Sequence, residues 1–101
     1  MSGPVKMNTA IGSVWFNLIP SSRKLAVYTS PADGPVRING IACSINLTYR
    51  MSGKSLRPMS MEVYSHPKHE LIAGALAQKA SQLVLPAAVQ FLASQVISPA
   101  G

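Results

Sequence analysis

The sequence predicts an α+β fold. An antiparallel sheet of four to five strands spans about residues 14–64, and two C-terminal helices follow at about 67–83 and 86–98. Three observations carry this. Ile41, Cys43, Ile45, Leu47 and Tyr49 alternate strictly with Ala42, Ser44, Asn46, Thr48 and Arg50, which is the period of a strand with one buried face. Clusters of turn-forming residues divide the chain before and after that segment. Beyond Pro67 the apolar residues change to helical spacing. A length of 101 residues fits one domain.

Residues 1–12 read as an irregular lead-in, because Gly3, Pro4 and Gly12 interrupt any regular element. Val14–Ile19 is rich in β-formers and stops at Pro20, so a strand is expected there. Pro20-Ser21-Ser22-Arg23 supplies a turn, and Leu25–Thr29 returns as the second arm of a hairpin. Ser30-Pro31-Ala32-Asp33-Gly34 turns the chain again: Pro presets φ and Gly accepts a positive φ. A short strand at Val36–Ile38 then leads into Asn39-Gly40, the favoured pair for a type I′ hairpin turn. One long strand bulged at Gly40 is the competing reading. After the alternating strand at 41–50, Met51–Ser55 makes a turn, and Met59, Met61 and Val63 mark a further strand. Pro58 belongs at the start of that strand or on a sheet edge.

Pro67 suits the first turn of a helix, and Glu70 sits near the positive end of its dipole. Leu71, Ile72, Ala75, Leu76 and Leu83 trace a stripe along that helix. Pro86 lacks the N–H and crowds the preceding turn, so a break near Leu85 is expected, with Pro86 opening a second helix. In the second helix Leu85, Val89, Leu92 and Val96 form a seam, and Phe91 points away from it. Apolar groups on more than one face of a helical part this short predict that Leu85, Val89, Phe91, Leu92 and Val96 meet a second copy of the chain. A symmetric homodimer is the simplest such assembly.

Charge divides the chain in the same way. Nine Lys and Arg against three Asp and Glu give a net charge of +6, and eight of the nine cations precede residue 70. Residues 13–64 therefore form a basic β part and residues 67–98 a nearly neutral helical part. Such an excess points to an anionic partner, either nucleic acid or an anionic membrane surface. One cysteine excludes a disulfide framework. No apolar run is long enough for a spanning helix or a secretory signal, so a cytoplasmic protein is expected.

Catalytic patterns fail on their spacing. Ser52-Gly53-Lys54-Ser55 ends like a phosphate-binding loop, but Thr48 stands where the first glycine is required, and a strand follows instead of a helix. His66, His69 and Glu70 lack a second ligand cluster, and Cys43 lies on an apolar strand face, so no metal site or other cofactor is expected. Asp33, Glu62 and Glu70 form no recognisable acid–base pair, and no catalytic residue is assigned.

Arg23, Lys24, Arg37, Arg50, Lys54, Arg57 and Lys68 remain as candidate contacts to nucleic acid. Arg50 shares the polar face of the alternating strand with Asn46 and Thr48, whereas Tyr49 is on the opposite face. That pattern favours backbone contact over base reading, and RNA over DNA as the ligand. A sheet followed by two helices is similar in outline to the small RNA-phage coat proteins, a likeness of architecture. It implies a homo-oligomeric viral or phage protein that binds or packages RNA in a host cytoplasm or virion. The alternative is a matrix or accessory protein, or an inhibitor of a host protein, acting through protein or membrane contacts.

Overall fold

The structure is a computed structural model that describes the backbone of residues 3–53 and 55–97, and the side chains of the same residues up to 95. Six strands form one antiparallel sheet: β1 (Val5–Thr9), β2 (Gly12–Ile19), β3 (Lys24–Tyr28), β4 (Val36–Ile38), β5 (Ile41–Ser52) and β6 (Ser55–Tyr64). Among the described residues a single α-helix, α1 (Ala73–Ile97), follows a 3-10 segment at Pro67–Ile72. Across the sheet the order is β1, β2, β3, β5, with β6 on the far side of β5. β3 pairs with residues 46–50 of β5, and β4 with residues 41–43. β4 also donates a hydrogen bond across to the β1–β2 turn, from Arg37 N to Ile11 O at 3.0 Å. The two short strands therefore lie in tandem along one edge of β5.

Alternation in β2, β3 and β5 places Val14, Phe16, Leu25, Val27, Cys43, Ile45, Leu47 and Tyr49 on one buried face. α1 lies over that face and packs chiefly on β6. Its contact stripe is Leu76, Ala80, Val84, Ala88 and Phe91, with Ala77 and Leu92 beside it. Steps of four and three keep these residues on one side of the helix, and the alanines let its backbone approach the sheet closely. The Phe16 and Phe91 rings meet edge to face with centroids 5.2 Å apart. Tyr49 donates its phenolic hydrogen to Ser81 O at 2.8 Å, joining the middle of the helix to the central strand. Burial raises the Tyr49 pKa, and the Ser81 hydroxyl, which donates to the Tyr49 oxygen at 3.3 Å, partly offsets it.

Turn chemistry is as the residues require. Arg23 closes the Pro20–Ser22 turn in the left-handed region at φ 54°. Asn39 and Gly40 have φ of 53° and 79°, the signs a type I′ turn needs, so β4 and β5 are separate strands and not one bulged strand. Ser30 accepts a hydrogen bond from Ala32 N and caps the turn at Pro31–Asp33.

Four expectations are corrected. The lead-in is a strand, because Val5, Met7 and Thr9 alternate with Lys6 and Asn8, and β1 adds to β2 in register. β6 starts at Ser55 and holds Pro58 inside it, not at its start, although on the sheet edge that was the other place expected for that residue. There Thr48 pairs with Ser60 but Tyr49 with Pro58, so Met59 is the extra residue of a bulge. The bulge and the open edge accommodate the missing N–H. The two helices are one, since α1 runs unbroken from Ala73 through Pro86 to Ile97. Pro86 and Gln82, whose carbonyl loses its helical partner, both face outward, where water can serve that carbonyl. Of the expected stripe, Leu76 is buried and Leu83 packs against the core, but Leu71 and Ile72 lie in the 3-10 segment, and Leu71 is 99% exposed.

Candidate nucleic-acid interface

The face of the sheet away from α1 carries most of the polar chemistry. Directly paired residues of antiparallel strands share a face, so the register defines cross-strand rows. One row runs Lys24, Arg50, Arg57 over β3, β5 and β6. A second runs Ala26, Thr48, Ser60, and a third Tyr28, Asn46, Glu62. Trp15 extends the third row on β2 beside Tyr28, and Lys6 extends it on β1.

The first row sets three cations on adjacent strands. Like charges directly opposite one another destabilise a sheet, by about 0.2–1 kcal/mol per pair. Among the described residues the ion pair is Lys6 with Asp33 at 3.2 Å, and no carboxylate reaches Lys24, Arg50 or Arg57. Arg23 adds a fourth charge at the β2–β3 turn, next to the row. Arg37 pairs with Ala42 towards the opposite end of β5 and donates to Gly40 O at 3.0 Å. Lys68 lies in the 3-10 segment before α1, outside the sheet. Lys54 falls outside the described residues.

Asp33 performs a separate task on this face. Its carboxylate accepts from Trp15 Nε1 at 2.7 Å and from Lys6 Nζ at 3.2 Å. These two partners, the indole first, hold its carboxyl below the usual carboxylate range. Asp33 therefore removes Lys6 from the set of free cations and anchors the loop before β4 against β2.

The alternating strand by itself carries no aromatic on its polar side, but the sheet does. Trp15, Tyr28 and Tyr64 come from three other strands and share that face. The sequence signal was the parity of each strand, which becomes usable only once the pairing register is known. Between Tyr28 and Tyr64 lies a shallow cavity of about 370 Å³, completed by Thr29, Pro31, Ser44, Ile45 and Asn46.

The residues expected at an oligomer interface divide differently. Phe91 and Leu92, 4% and 7% exposed, belong to the chain's own core, because the helix continues past Pro86 and carries them onto the sheet. Leu85 packs against the same core, whereas Val89 is 40% exposed. The side chain of Val96 lies outside the described residues.

Cys43 is buried and donates to Ile41 O at 3.3 Å, and its burial raises the thiol pKa. The His66 and His69 rings are 6.5 Å apart, and His66 Nδ1 accepts from Lys68 N as a helix-start cap. Among the described residues no three His, Cys, Asp or Glu side chains come together. No helix among the described residues is long and apolar enough to cross a membrane. Compared with protein-family models, curated proteins and solved structures, the chain matches none.

Proposed function

We propose that this protein is a small, non-enzymatic, homo-oligomeric RNA-binding or packaging protein of viral or phage type, with the polar face of its sheet as the RNA surface. The observation that carries the reading is the Lys24–Arg50–Arg57 row. Three like charges on adjacent strands lower stability, and a polyanion laid across the strands reverses the sign of that effect. Thr48, Ser60 and Asn46 next to the row offer hydroxyl and amide groups suited to phosphate oxygens and ribose 2′-hydroxyls, which favours RNA over DNA.

The test is fluorescence anisotropy with a mixed-sequence single-stranded RNA. Four phosphate contacts, one each for Arg23, Lys24, Arg50 and Arg57, give a slope of log K against log salt of about −2.8, so affinity should fall about 50-fold between about 50 and 200 mM salt. Absence of binding at the lower salt overturns the reading and transfers the charge to a protein or lipid partner.

The homo-oligomer of this reading would form through β6. Among the described residues this ten-residue strand pairs with β5 alone, which leaves its other edge open, and it exposes Met59 and Met61. Stable monomers protect long edge strands, and an antiparallel copy of β6 would cover this one while keeping both polar faces on one side. Light scattering should report a dimer at micromolar concentration. Met61→Lys should shift it to monomer, and a monomeric unaltered protein overturns the assignment.

A further inference from the structure

We propose that the cavity between Tyr28 and Tyr64 receives a single unstacked base of single-stranded RNA. The inference rests on the RNA-binding reading above and adds to it a base-specific subsite separate from the cationic row. Tyr28 on β3 pairs with Asn46 and Tyr64 on β6 with Ser44, so they stand on either side of β5, two strand spacings across and two residues along it, about 12 Å apart. Between them the floor is Ser44 and Asn46, and Pro31 closes one side. A volume of about 370 Å³ is at the lower end of sites that hold small planar molecules.

The chemistry of the lining fits a base better than a phosphate. Among the described residues no cation lines the cavity. Glu62 pairs with Asn46 and places a carboxylate beside it, which repels phosphate and accepts from exocyclic amino groups. The Asn46 amide and the Ser44 hydroxyl make no hydrogen bond among the described residues, so a donor, an acceptor and a hydroxyl are free for a base edge. Thr29 is already committed, since Oγ1 accepts from Ile45 N at 3.0 Å. Tyr64 is 59% exposed at the end of an edge strand, where folding gives little reason for a large ring. Its π face is the kind of platform on which single-stranded ligands stack.

Distance along β5 keeps the two subsites apart. Asn46 and Arg50 are four residues, or about 13 Å, from each other. A single strand crossing the sheet can place phosphates on Lys24, Arg50 and Arg57 while one base turns into the cavity. A duplex keeps its bases paired and can use only the cationic row.

The test compares a single-stranded RNA dodecamer carrying one 2-aminopurine with an RNA duplex, using the unaltered protein, Tyr64→Ala, Tyr64→Phe and Asn46→Ala. Loss of the Tyr64 ring should weaken single-strand binding about tenfold and leave duplex binding and the salt slope unchanged. Tyr64→Phe should retain affinity, because the ring and not the hydroxyl stacks. Binding should quench 2-aminopurine in the unaltered protein and in Tyr64→Phe but not in Tyr64→Ala. Equal losses on single strand and duplex, or no loss on either, overturn the base subsite while the charged row stands. If the unaltered protein binds neither RNA, the RNA reading itself falls, and the base subsite with it.

Discussion

Replacing Phe16 with alanine should destabilise the protein by about 3–5 kcal/mol, a large part of the roughly 5–15 kcal/mol typical of a domain. Phe16 is fully buried in the second strand, and its ring edge meets Phe91 near the C-terminal end of the helix. A helix this rich in alanine offers few large side chains to the sheet, so the Phe16–Phe91 contact carries an unusual share of its attachment. Truncation removes the transfer energy of the ring and leaves a cavity that the β-sheet backbone cannot collapse to fill. Chemical denaturation at one fixed protein concentration should show a lower midpoint. Phe91→Ala should cost a similar amount, and the double variant less than the sum, by about 0.5–1.5 kcal/mol of edge-to-face coupling. A loss below about 1 kcal/mol for Phe16→Ala would mean that the helix does not rest on the sheet in this way.

Neutralising the charged row should separate binding from stability. With Arg50→Gln and Arg57→Gln together, RNA affinity at low salt should fall on the order of 10²-fold, as expected for two lost charge-assisted contacts. The slope of log K against log salt should flatten by about 1.4 for a single-stranded ligand. Stability should stay level or rise slightly, because Arg50 faces Lys24 on one side and Arg57 on the other. An arginine pair present for structural reasons would give the reverse: unchanged RNA affinity and a lower unfolding midpoint. That result would remove the sheet face as the RNA surface.

Much of the fold is written in local patterns. The alternation from Ile41 to Arg50 fixes which side of β5 is buried, and Asn39-Gly40 fixes the turn that joins it to β4, because few residue pairs accept two positive φ values. Pro20, Pro31 and Pro67 each begin the 3-10 segment that a preset φ favours. β1 was equally periodic but only five residues long and bracketed by glycines, so its sign became clear only against its partner β2. Pro86 misled for a different reason. Its cost depends on whether the carbonyl it leaves unbonded can reach water, and outward placement is a property of the packed helix.

The candidate RNA surface follows the same division. The linear order of residues carries an excess of cations concentrated in the β part and a polar strand face bearing Arg50. Only the tertiary structure decides that Lys24, Arg50 and Arg57 stand in one row, that Tyr28 and Tyr64 line one cavity with Ser44 and Asn46, and that Phe91 and Leu92 belong to the core. The physical reason is that side-chain parity along a strand is a local property, whereas the neighbour across the sheet depends on register. Register is set by turns, a bulge and a helix that no single segment contains.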